Sequence, residues 1–287
     1  MANTFDASLV VDVLRDSAIT VLQSRLAPLN VFTKDFSADT IAPRKTVLVP
    51  LATAGGTTQT NATNFESGNS TLGVSTVVVD QYSNSFALTN AEINQGFRIE
   101  NIAKINLHNL ANKIMDIALA PVTTTNFGAA VVDVDTAALV TAAELRTLWA
   151  ALKDGDVRNL VVDGSIYANF LPSNLEAFNL ATGGRNTGIY GYDFFGYNNR
   201  WTGAGATIKG FACSPQAIAC ASGVPQNSPA SSDMISQENV VIPDLGLTVQ
   251  MNMWVSRATR DLWCSYDVMF GAAVADTTAL KIIKLTP

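Results

Sequence analysis

Apolar residues recur at helical spacing in one long stretch, residues 89–121 (TNAEINQGFRIENIAKINLHNLANKIMDIALAP). Ile99, Ala103, Leu107, Leu110, Ile114 and Ile117 follow one another at steps of three or four, and Arg98, Asn109, Asn112, Lys113 and Asp116 fall roughly opposite. That pattern predicts an amphipathic helix with one buried stripe. Thr89 and Glu92 have the spacing of a capping box. Gly96 weakens the first turns, so the regular part is expected to begin near Phe97, and Pro121 ends it. Such a helix is about 30 Å or more long. Ile102 and Ile105 interrupt the polar side, which predicts contacts there as well.

The rest of the chain alternates between shorter patterns. Residues 6–26 predict an N-terminal helix burying Val10, Leu14, Val21 and Leu22; it stops before Ala27-Pro28, since proline disfavours helix in the residue ahead of it. Residues 30–44 keep no period and read as an extended arm. Two strand-like runs follow, KTVLVPLA (45–52) and VSTVVVDQYSNSFALT (74–89). Between them lie about twenty Gly, Thr, Asn and Ser-rich residues, too many for an idle loop in a compact domain. A long hairpin whose tip reaches a neighbour fits better, and Pro50 suits an edge strand.

Residues 126–141 are Ala/Val-rich with turn residues, and 142–152 predict a second helix. A strand (157–163), a short helix (165–171), a glycine- and aromatic-rich loop (183–205) and a strand (207–213) come next. An apolar stretch (216–220) then leads to a Gly/Pro/Ser-rich segment, 222–232, which reads as a boundary. The end is strand-like at 239–242, 247–255, 261–272 and 280–285. The class is α+β, with no internal repeat and no heptad.

Composition narrows the function. The 287 residues are 48% hydrophobic but only 15% charged, against about a quarter charged in an ordinary soluble domain. Surface poor in charge is surface that something covers, and burial between subunits is the preferred cause. No apolar run reaches the roughly eighteen residues of a membrane span, and the N-terminus does not resemble a secretion signal. A net charge of −6 argues against a basic groove for nucleic acid. Cys213, Cys220 and Cys264 have no metal-type spacing and read as buried thiols.

Chemistry is sparse. The single histidine, His108, sits in the middle of the long helix, which excludes a histidine pair or relay. No phosphate-binding loop, dinucleotide turn or nucleophile elbow occurs; Gly203-Ala204-Gly205 lacks the flanks of one. Asp133-Val134-Asp135 and Asp154-Gly155-Asp156 lack calcium-loop spacing and read as turns. The Asn61 and Asn69 sequons are chance matches in a Thr/Asn-rich loop. Tyr190, Tyr192, Phe194, Phe195, Tyr197 and Trp201 lie near few basic residues, only Arg185 and Arg200, so packing or subunit contact is preferred to base stacking. No catalytic, cofactor-binding or metal residue is assigned. An interaction protein without an active site is expected.

In this order the segments resemble the major capsid proteins of tailed bacteriophages, whose fold is shared with encapsulins and the floor domain of the herpesvirus capsid protein. KTVLVPLA with its Gly/Thr-rich flap is similar to the extended loop of these coats, and residues 89–119 to their spine helix. AAELRTLWAALKDGDVRNLVVDGSIYANFL and TIKGFACSPQAIACASGVP resemble parts of the axial domain, and residues 246–285 the closing strands of the peripheral domain. The resemblance spans essentially the whole chain. It implies an N-terminal helix and arm (1–44), an extended β-hairpin loop (45–88), a peripheral domain with the spine helix (89–128 and 235–287) and an axial domain (129–234).

The resemblance also implies a role: self-assembly into hexamers and pentamers that tile an icosahedral shell around double-stranded DNA. The partners would be further copies of the chain, scaffolding, portal and cement proteins, and packaged DNA held without sequence preference, with no membrane. The location would be the virion, after assembly in the host bacterial cytoplasm. A shell enclosing an enzyme cargo, as in encapsulins, is the alternative. Some coats cross-link through a lysine in the extended loop, but residues 52–73 contain none, so no such bond is expected. Without a scaffold-like N-terminal extension, either scaffolding is a separate protein or the sequence begins after processing, and Met1 favours the former.

Overall fold

The computed structural model describes residues 7–54, 71–88, 96–152, 158–170, 186–189, 191–197, 207–226, 234–256, 258–259 and 261–286. The Thr89/Glu92 capping box, the hairpin tip with Asn61 and Asn69, Asp154-Gly155-Asp156, Tyr190, Trp201 and Gly203-Ala204-Gly205 lie outside them.

Helix α1 (Ala7–Arg25) buries Val10, Leu14, Val21 and Leu22 as its spacing predicts, and Val11 and Ala18 besides. A 3₁₀ turn, Ala27–Val31, places Pro28 in its first turn, where a missing N–H costs nothing. The arm that follows is extended, but it is not free: β1 (Thr33–Ile41) pairs in parallel with a strand nearly two hundred residues later. Strands β2 (Lys45–Ala54) and β3 (Thr71–Leu88) form the expected antiparallel hairpin.

Helix α2 is described over Gly96–Leu119. Ile99, Ala103, Leu107, Leu110 and Ile114 are buried and Ile117 half-buried; Ala111, Met115 and Ala118 widen the stripe. Of the two isoleucines on its other side, Ile102 packs on the core, whereas Ile105 is 64% exposed. A short α3 (Thr124–Phe127) and β4 (Val132–Val134) lead to α4 (Ala142–Ala151). Its capping box, Thr141 with Glu144, satisfies two orphan amides.

Next come β5 (Asn159–Val162), α5 (Gly164–Ala168), β6 (Asn186–Ile189), β7 (Tyr192–Gly196), β8 (Ile208–Cys213) and β9 (Ile218–Pro225). The chain closes with β10 (Met234–Val241), β11 (Thr248–Val255), β12 (Leu262–Val274) and β13 (Leu280–Leu285). Two sequence expectations need correction. The aromatic segment 183–205 is not all loop, because β6 and β7 turn around Gly191 at φ 80°, a value glycine adopts without strain. The boundary placed at 222–232 begins too early. Ser222–Pro225 are buried inside β9, where small residues let neighbouring strands approach.

The strands form two sheets. The first runs β1-β9-β12-β11-β10, with β3 on β12 and β2 on β3; the second runs β4-β13-β8-β5-β7-β6. Helices α1 and α2 pack on one face of the first sheet, tied by the Tyr266 hydroxyl donating to the Leu14 carbonyl (3.1 Å) and Asn84 Nδ2 donating to the Asn106 carbonyl (2.9 Å). Strand β5 is buried throughout, Asn159 included, because both its faces are covered. Val161 joins the large core of the helices and first sheet, and Leu160 and Val162 join a second core under α4 and α5. Two pairings cross the segment order: β9 lies in the first sheet and β13 in the second.

Candidate assembly surface

Alternation along β2 and β3 gives the hairpin two apolar faces. On one, Val47, Val49 and Leu51 lie opposite Val77, Ser75 and Gly73. Val49, Leu51, Val77 and Val79 are buried there, and Val49, Val77 and Val79 pack with Ile41, Ala219, Ala221 and Met269. Ser75 Oγ donates to the Val274 carbonyl at 3.1 Å. The close approach is possible because position 271 is glycine. A Cβ there would lie 2.1 Å from the Val78 carbonyl oxygen, well inside contact distance.

On the other face the cross-strand pairs are Thr46 with Val78, Leu48 with Thr76, and Pro50 with Val74. Leu48, Val74 and Val78 are 61%, 58% and 53% exposed. Scattered exposed aliphatics are ordinary. Three on one side of a two-stranded ribbon, with threonine and proline between them and no charge, form a surface fitted to be covered. Sequence reading missed these residues individually. The available signal was that KTVLVPLA is apolar at successive positions, which a half-solvated strand is not.

Reactive chemistry is not gathered anywhere among the described residues. His108 is half-buried on α2, and burial together with the nearby Arg25 guanidinium lowers its pKa. Asp133 lies on β4 and not in a turn, accepting from Thr286 Oγ1 at 2.8 Å beside Lys284 Nζ at 3.7 Å. The three cysteines are buried and unbridged; burial pushes Cys220 and Cys264 up to about 12 and Cys213 higher still. Such thiols are inert. The buried carboxylate of Asp267 accepts from Asn252 Nδ2 (2.6 Å) and Ser265 Oγ (2.9 Å), with no second acid or histidine in the group to complete an acid–base pair. No cluster of three His, Cys, Asp or Glu occurs among the described residues, and no helix among them is long and apolar enough to cross a membrane.

The aromatic segment is packed inward. Tyr192, Phe194, Phe195 and Tyr197 are buried, Phe194 stacks on Tyr167 at 4.9 Å, and the Tyr192 hydroxyl donates to the Leu145 carbonyl at 3.3 Å. Beside them, the Arg158 guanidinium lies 3.7 Å over the Trp149 ring. These rings hold the second sheet together and offer no stacking platform.

No family model matches the sequence, and no curated protein matches it. Solved structures do match, over most of the chain. The capsid of a native GTA particle superposes with a TM-score of 0.53 at 12% identity, covering 93% of this chain and 91% of its own. A virus-like particle from Pyrococcus furiosus gives 0.53 at 9% identity, covering 94% and 97%. The capsid of Ralstonia phage GP4 gives 0.50 at 10% identity, covering 89% and 86%. At such identities the likeness is one of architecture. Element order, the two sheets, the long helix and the hairpin therefore identify the fold: this chain has the fold of the tailed-bacteriophage major capsid proteins.

Proposed function

We propose that this chain is a major capsid protein, a structural subunit without catalytic role, whose copies form hexamers and pentamers of an icosahedral shell around double-stranded DNA. The observation that carries the reading is the outward apolar face of the β2–β3 hairpin, with Leu48, Val74 and Val78 more than half exposed. A monomer gains nothing from that face, whereas a subunit clasped by neighbours buries it. The low share of charged residues, 15%, suits a molecule that loses much of its surface to copies of itself.

The domain division is proposed as an arm (1–44), an extended loop (45–88), a peripheral part around α2 and β10–β12, and an axial part around the second sheet. In this division β9 belongs with the peripheral part and β13 with the axial one, following their pairing. Scaffolding, portal and cement proteins are proposed as further partners, and the virion, assembled in the host cytoplasm, as the location. With no lysine in residues 52–73, the shell is held without a lysine cross-link from this loop.

The test is what purified particles contain. Nuclease-protected double-stranded DNA in particles from the natural source supports the proposal. A homogeneous protein cargo in place of DNA would turn it towards an encapsulin-like container on the same fold.

A further inference from the structure

Among the described residues, the second sheet and the helices over it leave two large apolar side chains exposed, Leu139 at 51% and Trp149 at 39%. Both are held in place. Arg158 donates from its guanidinium to the Trp149 carbonyl at 2.9 Å and lies over one face of the ring. Tyr192 packs edge-on at 5.2 Å, and the far end of the indole rests on Gly191, where a Cβ would lie 2.7 Å away. Leu139 ends the 3₁₀ turn Ala137–Leu139. That turn is pinned by Asn169 Nδ2, which donates to the Ala137 carbonyl at 2.7 Å, and by the buried Val140 that follows it. A ring already fixed loses little freedom when a partner covers it, which is why tryptophan so often anchors an interface.

The charges beside the two differ in sign. Arg146 precedes Trp149 by three residues on α4, so the two are neighbours on one helix face. Asp135 lies four residues before Leu139. Both are exposed, and neither makes an ion pair among the described residues. Leu139 stands ahead of α4 and Trp149 near its end, so about 10 Å or more of helix separates the patches. A ring of identical copies closes through two unlike patches that complement each other. We propose that the Trp149–Arg146 patch of one copy receives the Leu139–Asp135 patch of the next, head to tail around the ring. Leu139 then lies on the open part of the indole, and Asp135 pairs with Arg146. A two-fold contact of either patch with itself would set Arg146 against Arg146 or Asp135 against Asp135, which repel. Charge therefore selects the head-to-tail arrangement.

This inference rests on the shell reading above, and charge reversal separates the two. Arg146→Asp and Asp135→Arg each oppose like charges, so the concentration needed for assembly, read by light scattering, should rise roughly tenfold or more. The double variant restores the pair with its signs exchanged and should assemble near the parental concentration. An equal mixture of the two single variants should likewise recover assembly, because copies alternating round an even ring meet only unlike charges. Leu139→Ser removes about half of a leucine's burial and should raise the threshold roughly 4- to 13-fold. All three positions are exposed, so each isolated subunit should keep the parental denaturant midpoint. A variant whose isolated subunit unfolds overturns the exposed placement on which the contact stands. Single variants that assemble at the parental concentration overturn the contact and leave the shell reading standing. Single variants that fail without rescue by the double variant or the mixture overturn the pairing of these two patches. No particles from the unsubstituted protein at any concentration overturn both.

Discussion

Replacing Leu48, Val74 and Val78 together by serine removes the apolar outer face of the hairpin and leaves its inner face intact. At 61%, 58% and 53% exposure, the three amount to about 1.7 whole side chains still available to bury, and a fully buried aliphatic side chain is worth about 1.5–3 kcal/mol. A neighbour that covers the face completely therefore gains about 2.5–5 kcal/mol per subunit from it. At 1.4 kcal/mol per tenfold, the concentration needed for assembly should rise by roughly two to almost four powers of ten. Light scattering across a dilution series reads that threshold. The isolated subunit should unfold within about 0.5 kcal/mol of the parent, as exposed positions normally do. A triple variant that assembles at the parental concentration would refute the assignment of this face to a subunit contact. One that unfolds as a monomer would refute its description as surplus to the core.

Gly271→Ala forces a methyl against the Val78 carbonyl, 2.1 Å from the added Cβ; overpacking of this kind costs about 1–3 kcal/mol, and a denaturant midpoint equal to the parent's would show that the hairpin does not cross there. Thr141→Ala removes the acceptor for the Ala143 amide and half of the capping box of α4, so a loss of about 1 kcal/mol is expected in thermal or chemical unfolding. Stability should also fall on the alkaline side. Folding holds the Cys220 and Cys264 thiols protonated up to about 12, against an ordinary value of 9.0. Above pH 9 the unfolded chain thus releases protons that the folded chain keeps. Each thiol then subtracts about 1.4 kcal/mol per pH unit, and a stability flat from pH 8 to pH 11 would contradict the burial.

The elements visible in the sequence are those whose own period decides their burial. Helices α1 and α2 repeat their apolar residues every three or four positions, and each buries the side so marked. The base of the hairpin was equally plain from two β-rich runs. Segments whose partners are distant in sequence were harder. Strand β1 has no alternation of its own because it is placed by parallel pairing with β9, and β9 passes for a linker because its Ala, Ser and Gly fit a crowded sheet interior. Strands β6 and β7 hide in a run of glycines and aromatics whose rings turn inward only in the fold, Tyr192 and Phe194 under α4 and α5 and Phe195 and Tyr197 into the main core. At the assembly surface, the inner face of the hairpin is fixed by its own chain. The outer face becomes intelligible only when Leu48, Val74 and Val78 are found still facing out.

Electron microscopy of the purified, expressed protein tests the central claim most directly. The account predicts closed shells, or rings of capsomer size, at concentrations where the serine triple variant stays dispersed. A stable monomer that shows neither, at any concentration or salt at which the protein remains soluble, would contradict it.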